Sequence, residues 1–565
     1  WKICTVASPK SLQSMVQKST YSSIEIFFMV VSSRYWLACC FLLALLPVTN
    51  IRVSAEGSPP NVLFIAIDDL KTIGSIYSED PGDFLQRVYP DKALRAEVAR
   101  RMTPNLQRLA DRGVTFTSAY CAAPACNPSR AALMTGIRPN LSGLTTNAGG
   151  VFFREYEYEG KRPLADATTL PEWLKQHGWY TAETGKIFHT STSFKAADGH
   201  RSWTDWTNVP GSAGERVRAK FSPKSLDWGQ EGDDSATFHA LNDYQKADFI
   251  AKVLTEGRAT DRETTFAISA DQPFFLACGI FRPHLPFYAT RDLLDLFPTE
   301  EMAITRELLE EFTRDAGDLP DQAYKWCGLA VDAGGHPTIG KDRFVDILKH
   351  GRKLQDRDGD LQGWKEMLQH YFASCAIADR CVGRLLDGLE ASPYTDNTMI
   401  ILWSDHGYHL GEKLHETKFT LWDDGARVNF LISDPRHPQS AGKCCTRPVT
   451  LTDIFPTVAA MAGLDMPDPR IQGTDLEPLL ENPDRAWAPA AQSTYQSVAH
   501  NMIRTERYKL IRYDDNNEAI ELYDMQEDPE EFENLAGQPN LQSTQAKLIR
   551  MLDEALGKGS KAVRQ

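Results

Sequence analysis

The chain has 565 residues, of which 42% are hydrophobic and 24% are charged, and its formal net charge is −15. This composition is typical of a globular protein, and the length suffices for one large α/β core and a smaller domain. The negative charge argues against a nucleic-acid-binding protein, because such proteins need a basic face. An anionic substrate would have to be bound by a local cluster of cations.

The first 55 residues differ from the rest. The apolar run at 36–48 contains a proline and is shorter than a membrane-spanning helix. Arg34 precedes this run, and small residues follow at 53–55, which is the layout of a secretory signal peptide. We interpret 1–55 as a signal peptide region with a mis-assigned N-terminal extension, a membrane anchor being the alternative. The mature protein is expected to be secreted or periplasmic, with no stable membrane span.

Apolar, β-rich segments alternate with helical ones in the following part of the chain. The predicted buried strands are 61–67, 179–184, 273–280 and 398–404. The predicted helices include 104–112, 170–177, 371–389 and 451–463. This alternation predicts a doubly wound α/β sheet.

Two long stretches, 191–234 and 295–360, fit no strand–helix repeat and are expected to be loops that form walls or lids. Residues 502–524 are typical of alternating strands, and a terminal helix is expected near 541–556. We therefore predict a catalytic domain at 56–440 and a C-terminal subdomain, with a small antiparallel sheet, at 441–565.

Each predicted strand runs into polar residues with catalytic potential. These endings are Asp68-Asp69, Gly185-Lys186-Ile187-Phe188-His189, Phe281-Arg282-Pro283-His284 and Asp405-His406-Gly407. Ligands of open α/β sheets bind beyond the carboxyl ends of the strands. We therefore expect these four endings to meet in one crevice.

Asp68 and Asp69 are adjacent carboxylates, which repel each other unless a cation neutralises them. Two solvated aspartates at a strand end are the simpler alternative. Asp405 and His406 would add a third carboxylate and one imidazole. Such a mostly oxygen donor set favours a hard divalent cation, and calcium fits it better than zinc.

Cys126 opens the run Cys126-Asn127-Pro128-Ser129-Arg130, which a segment of small residues follows. The ordinary interpretation is a buried or disulfide-bonded cysteine before a helix. The C-x-P-x-R spacing, however, resembles the signature of the type I sulfatases. In that family the cysteine is oxidised to formylglycine, an aldehyde whose hydrate is the nucleophile.

The resemblance covers most of residues 60–535. In detail, the sequence is similar to the iduronate-2-sulfatase branch of the family. It rests on segments 185–189, 282–287, 404–407, 410–412 with Lys418, and 522–529. It implies a large mixed sheet of the alkaline-phosphatase/sulfatase type. Residues 71–101 look like an insertion, and the pair at 408–409 differs from the human-type enzyme, so the iduronate substrate is not implied with the reaction.

The resemblance also implies roles for individual residues. The implied metal ligands are Asp68, Asp69, Cys126 in its modified form, Asp405 and His406. The residues implied to surround the sulfate are Cys126, Arg130, Lys186, His189, His284 and Lys418. His189 is the candidate base, and His284 with Lys418 the candidate acid. The predicted substrate wall is Arg282, Tyr408 and His409, although ion pairing or packing would equally explain them.

The implied reaction is hydrolysis of a sulfate monoester, with the formylglycine diol attacking sulfur. The predicted substrate is a 2-O-sulfated uronate or another sulfated sugar of a polysaccharide, and maturation would need a formylglycine-generating enzyme. Two alternatives remain open. One is a phosphatase or phosphodiesterase of the alkaline-phosphatase superfamily, which typically uses Ser or Thr and two metals. The other is a degenerate carbohydrate-binding relative without activity.

Overall fold

The structure is a computed structural model that describes residues 59–189, 196–211, 214–328, 330–331, 337–338, 343–355 and 358–557. The predicted signal peptide region at 1–55 lies outside these residues. Within the described ranges, no helix is both long enough and apolar enough to cross a membrane.

A mixed eight-stranded sheet forms the centre of the protein. In chain order its strands are β1 (Asn61–Asp68), β2 (Val114–Phe116), β3 (Tyr180–Gly185), β4 (Asp205–Thr207), β5 (Phe274–Pro283), β6 (Thr398–Ser404), β7 (Phe430–Ser433) and β8 (Lys443–Cys445). Their order across the sheet is β8-β2-β7-β6-β1-β5-β3-β4. Strands β6, β1, β5, β3 and β4 run parallel, whereas β7 is antiparallel to both neighbours. The doubly wound mixed sheet predicted from the sequence is confirmed.

The four strands predicted from the sequence are consecutive neighbours in this sheet, in the order β6-β1-β5-β3. Every residue of β1 and β6 is buried, as expected for parallel strands that are covered on both faces. Ile67 of β1 pairs with Ser404 on one side and Ile280 on the other. The four carboxyl ends therefore lie side by side at one edge.

The helices that surround the sheets vary widely in length. Ten of them are α1 (Lys92–Met102), α2 (Pro104–Ala110), α3 (Cys126–Thr135), α4 (Leu170–Gln176), α5 (Asn242–Glu256), α6 (Arg306–Asp315), α7 (Arg343–Leu354), α8 (Gly359–Glu390), α9 (Ile454–Met461) and α10 (Gln542–Ala555). Short helices occur at Phe84–Val88, Pro139–Ser142, Ala196–Ser202, Ser235–Ala240, Arg291–Leu294, Asp321–Cys327, Asp423–Ala426 and Glu477–Glu481. Helix α8 packs on α5, α7 and β5 and begins well before the predicted residue 371.

The prediction that 295–360 is a loop was wrong. This stretch contains α6, α7 and the start of α8, because short segments within it carry amphipathic faces. Helix α6 buries Leu308, Leu309 and Phe312. Each face is only three or four apolar residues long, and glycine and proline interrupt the sequence between them. The stretch 191–234 is likewise structured in part, with β4 and the strands Arg216–Arg218 and Trp228–Glu231.

The C-terminal part forms a second, smaller sheet. Strands β9 (Ala491–Thr494), β10 (Asn501–Arg504), β11 (Tyr508–Arg512) and β12 (Ile520–Asp524) pair antiparallel in sequence order. Leu548 and Leu552 of α10 pack into the apolar cluster of this sheet. The predicted antiparallel sheet and terminal helix are confirmed. Because β8 still belongs to the large sheet, the domain boundary at 440/441 stays a prediction.

Candidate active site

Cys126 is the first residue of α3, and all ten residues of α3 are buried. Its Sγ atom lies 3.2 Å from Nζ of Lys418 and 3.4 Å from Nε2 of His406. A helix N-terminus carries partial positive charge, and the two neighbouring side chains add to it. The position of the sulfur atom is therefore electropositive.

The pKa of the Cys126 thiol reflects these surroundings. Burial alone would disfavour the charged form, but Lys186, Lys418 and His406 hold this pKa well below its usual range. A group at this position is thus stabilised when it is negatively charged, as a nucleophile or a bound oxyanion is.

Arg130 connects three of the strand ends. Its Nη2 donates to Asp68 at 3.0 Å, and its Nε donates to Asp405 at 2.8 Å. Its Nη1 donates to the backbone carbonyls of Lys186 and Ile187, at 2.5 and 2.9 Å. The guanidinium has no exposed surface. Arg130 therefore fixes the carboxylates that follow β1 and β6 against the backbone that follows β3.

Two lysines form ion pairs with the acidic residues at the carboxyl end of β1. Lys186 forms an ion pair with Asp68, and Nζ of Lys418 donates to Asp69 at 2.5 Å. Burial opposes ionisation of Asp68, but Lys186 foremost keeps the pKa of this carboxyl below its usual range. Burial raises the pKa of Asp405 to about 6, against the influence of Arg130.

The residues present fit a divalent cation. One ligand atom from each of Asp68, Cys126, Asp405 and His406 lies within 4.8 Å of the others, and all four residues are buried. Asp69 adds a carboxylate oxygen 3.3 Å from Nε2 of His406. The Nδ1 atom of His406 lies 2.9 Å from the Gly407 carbonyl, so Nδ1 carries a proton, and Nε2 is the nitrogen that would bind a metal ion in place of its own proton.

His189 and His284 lie beside Cys126. Hydrogen bonding with His189 helps to lower the pKa of the Cys126 thiol. Burial would lower the pKa of the His284 imidazole, but the carboxylates of Asp69 and Asp68 and a hydrogen bond with Cys126 raise it. Among the described residues, Nδ1 of His189 is buried without a hydrogen-bond partner. His284 donates through Nδ1 to the Leu285 carbonyl at 2.7 Å, and its Nε2 lies 3.9 Å from Asp69. Both imidazoles thus have a nitrogen available for proton transfer.

A cavity of about 600 Å³ adjoins the site, and its lining includes Lys186, His189 and Arg282. Arg282 is buried, and its guanidinium donates to Glu231 at 3.1 Å and to the Tyr288 carbonyl at 3.2 Å. The structure thus brings this predicted wall residue to the cavity, but as one member of an ion-pair network.

The sequence model of the family described as Sulfatase matches residues 60–464. The chain belongs to the sulfatase family. It is an enzyme that hydrolyses sulfate esters. A second model, N-sulphoglucosamine sulphohydrolase, C-terminal, matches residues 411–558.

Individual relatives of this sulfatase span most of its length. A sulfatase of Formosa agariphila is 29% identical over 496 residues, which cover 86% of this chain and 84% of that protein. The N-acetylglucosamine-6-O-sulfatase of Bacteroides thetaiotaomicron is 26% identical over 90% of each chain. Mouse iduronate 2-sulfatase is 26% identical, covering 72% of this chain and 69% of its own. Since relatives with different named substrates are equally similar, the iduronate-2-sulfatase branch stays a prediction.

Solved structures confirm the fold of the sulfatase. A protein in complex with its substrate D-glucosamine-2-N,6-O-disulfate has a TM-score of 0.61 and 21% identity, covering 90% of this chain and all 100% of its own. A phosphonate monoester hydrolase of Agrobacterium radiobacter has a TM-score of 0.60 and 19% identity, over 88% and 96% of the two chains. Hydrolases of different esters thus share this fold, and the fold alone does not distinguish a sulfatase from a phosphatase. The match to the Sulfatase family decides against the phosphatase alternative.

The structure does not bring Tyr408 and His409 of the sulfatase to the large cavity. Both side chains have no exposed surface. The Tyr408 hydroxyl donates to Glu416, and its ring stacks on Tyr371 with the centroids 5.4 Å apart. Nε2 of His409 lies 2.6 Å from the Thr420 hydroxyl. Their burial supports the packing alternative over a substrate wall.

Two residues that hold the loop after β1 (residues 69–71) were not predicted from the sequence. The Tyr371 hydroxyl donates to the Asp69 carbonyl at 2.8 Å and accepts the backbone N–H of Lys71 at 3.0 Å. Nδ2 of Asn429 donates to the Lys71 carbonyl at 3.0 Å. Asp69 itself has a φ of 60°, an uncommon backbone conformation that these hydrogen bonds help to maintain. No spacing in the sequence links these distant positions.

Proposed function

We propose that this sulfatase removes sulfate from a sugar of a sulfated polysaccharide, outside the cytoplasm, with a formylglycine at position 126 and one bound calcium ion. The proposed calcium ligands are Asp68, Asp69, Asp405, His406 and the modified residue 126. The observation that carries the proposal is the convergence of carboxylates, lysines and imidazoles on Sγ of Cys126. A formylglycine-generating enzyme would be the maturation partner.

The sugar substrate is supported by the names of several relatives. They include the N-acetylglucosamine-6-O-sulfatase, the iduronate 2-sulfatase and an ulvan-active sulfatase of Formosa agariphila. The choline-sulfatase of Rhizobium meliloti is also 26% identical, so choline sulfate is the main competing substrate. A cavity of about 600 Å³ with polar walls is in the size range of ligand sites and favours a sugar.

The proposed chemistry divides the work between the groups at the site. Hydrated formylglycine would supply one hydroxyl to attack sulfur and a second to expel the sulfate, and a bound calcium ion would stabilise the developing charge. Lys186 and Lys418 add positive charge in a buried setting, where electrostatic stabilisation is strong. Nε2 of His284 would donate a proton to the leaving alcohol, and His189 would accept one from residue 126. Arg130 positions the metal-binding carboxylates.

The modified residue is tested by comparing Cys126→Ala and Cys126→Ser with the wild type, each co-expressed with a formylglycine-generating enzyme. Mass spectrometry of the peptide with residue 126 is expected to find an aldehyde in the wild type. Sulfate release from sulfated oligosaccharides should be abolished in Cys126→Ala, whereas Cys126→Ser, which lacks the second hydroxyl, should be trapped as its sulfate ester.

The matched control is Cys445→Ala, which removes another buried thiol on strand β8 and should retain activity. A fully active enzyme in which residue 126 is only a thiol would contradict the proposal. Hydrolysis of choline sulfate in preference to every sulfated sugar would contradict the proposed substrate class.

The cation is tested by equilibrium dialysis with calcium. One ion per chain is expected, and Asp405→Asn should weaken its binding about tenfold or more because a buried carboxylate ligand is lost. Asp434→Asn is the control, since Asp434 is a buried carboxylate that pairs with Arg436 instead. Equal calcium binding by both variants would refute the assigned ligands.

A further inference from the structure

The cavity beside the catalytic residues extends well beyond them. Lys186 and His189 line it, and so do residues of α5 together with Asn208, Gly211, Arg216 and Glu231. Only the sulfate group needs to reach Cys126. The remaining volume is therefore available for the rest of the substrate, and the side chains that line it contact whatever the sulfate is attached to.

The charged lining of this cavity has more cations than acids. The cations are Lys186, Arg216, Lys246 and Arg282, and the acids are Glu231 and Asp243. The whole chain carries a net charge of −15, so the local excess of positive charge is opposite to the overall balance. Such a local excess attracts an anion to a cavity even where the global field opposes it.

Most of these cations already have partners. Lys186 pairs with Asp68. Glu231 accepts from both guanidinium groups, from Nη2 of Arg282 and from Nε of Arg216, each at 3.1 Å. One buried carboxylate thus binds two arginines. Glu231 holds both guanidinium groups in place, and one positive charge of the pair is left over at this wall of the cavity.

Lys246 is different. Its side chain, on α5, is 6% exposed, and its closest acidic atom is Oδ1 of Asp243 at 3.6 Å. The other carboxylate oxygen of Asp243 accepts the backbone N–H of Arg282 at 2.9 Å. Among the described residues, the Lys246 ammonium makes no hydrogen bond. Lys246 lines the cavity, where a ligand or water can supply the acceptors that an ammonium with three N–H donors needs.

We propose that Lys246 binds a second acidic group of the substrate, a carboxylate or a second sulfate, while the sulfate to be removed lies at Cys126. This inference rests on the proposed function as a sulfatase of sulfated sugars. Lys246 is then a specificity-determining residue that selects sugars with two anionic groups over sugars with one.

The test uses two matched pairs of substrates. One pair is a sulfated uronate disaccharide and its carboxyl-reduced form, and the other is a disulfated and a monosulfated glucosamine. Wild type should prefer the member with two anionic groups. Lys246→Met should lower that preference, measured as the ratio of kcat/KM values, by roughly tenfold or more and mainly through KM, because a charge-assisted hydrogen bond is lost. Lys246→Arg should restore part of it.

The matched control is Lys252→Met on the same helix, where the lysine is half exposed and pairs with Asp248 at 2.7 Å. Its ratio should equal that of the wild type. The pair of substrates that responds tells whether the second group is a carboxylate or a sulfate. Calorimetry on the Cys126→Ala variant measures the affinities for the two members of each substrate pair. Their ratio reports the same preference without turnover.

Two results would overturn the inference. Lys246→Met could reduce kcat/KM equally for both members of each pair, which would indicate a structural role beside Asp243. Alternatively, wild type could show no preference for the dianionic member in turnover or in binding. If the monosulfated members are still hydrolysed, the proposed function stands without this inference, whereas hydrolysis of no sulfated sugar would remove the proposed function itself.

Discussion

Single residues outside the set of acids decide whether the loop at 69–71, which follows β1, keeps its shape. Tyr371 holds the backbone on both sides of Leu70. We expect Tyr371→Phe to weaken calcium binding about tenfold, as loss of supporting hydrogen bonds around a metal site typically does. The free energy of unfolding should fall by about 1–3 kcal/mol, because a buried N–H and a buried carbonyl lose their partner. Calorimetric titration and urea unfolding measure the two effects.

Tyr324→Phe is the matched control for that experiment. The Tyr324 hydroxyl donates to the Ala316 carbonyl at 2.7 Å, away from the strand ends. This variant should lose stability to a similar degree, with calcium affinity unchanged. If both variants weaken calcium binding equally, Tyr371 has no specific part in the metal site.

The acids, lysines and histidines of the site could be predicted because each follows a recognisable strand or sits in a family segment. Tyr371 could not be, since a tyrosine in the apolar face of a helix looks like any other core residue. His409 illustrates that proximity in sequence does not by itself place a side chain at the site. It lies close in sequence to Asp405 and His406, but residues 409–410 pair with 416–417 as a two-stranded ribbon, and this turns the imidazole into the core.

At the scale of elements, the approach of β3 to β5 sets the position of Lys186. Gly185 and Gly279 face each other in register, and the backbone N–H of Lys186 donates to the Gly279 carbonyl at 3.2 Å. A Cβ atom on Gly279 would overlap the backbone of Lys186. The two glycines thus let the strand ends approach closely enough for Lys186 to reach Asp68.

Gly279→Ala should therefore separate the strand ends. We expect a loss of about 1–3 kcal/mol in the free energy of unfolding, typical of overpacking, together with a drop in kcat as Lys186 moves away. Gly317→Ala serves for comparison, because a Cβ atom there has no neighbour within 4 Å and should leave both quantities nearly unchanged. Wild-type kcat in Gly279→Ala would show that the close approach is dispensable.

The elements themselves were predictable to different degrees. Strands β1, β3, β5 and β6 are continuous apolar runs between polar residues, so their bounds could be predicted to within three residues. Helices α6 and α7 were missed because their apolar faces are short. The short edge strand β4 was missed because its residues Asp205–Thr207 are only partly buried and carry no apolar pattern.

For the whole molecule, buried neutral histidines make the stability depend on pH. Burial lowers the pKa of His370 to about 4 and that of His500 to about 3, against an ordinary value near 6.5. The unfolded chain therefore binds protons that the folded protein excludes. The contribution of these two histidines to the free energy of unfolding is complete above about pH 6.5 and falls as the pH is lowered, by about 2 kcal/mol at pH 5 for His370 alone.

This dependence can be measured by urea unfolding between pH 8 and pH 5. His370→Gln removes one titrating group on α8, and between pH 8 and pH 5 its free energy of unfolding should change by about 2 kcal/mol in favour of the folded state relative to the wild type. His177→Gln, on an exposed histidine, should leave the slope as it is. A slope that is identical in wild type and His370→Gln would contradict the assigned protonation of His370.

Cys126 is 1% exposed in a helix that is buried along its entire length. A second protein cannot reach this side chain once the core has closed over it. If another enzyme converts Cys126, as proposed, the conversion has to come first and folding second. The time between the synthesis of residue 126 and the packing of α3 against the rest of the core is then the interval in which the chain becomes a catalyst or remains an inactive protein of the same shape.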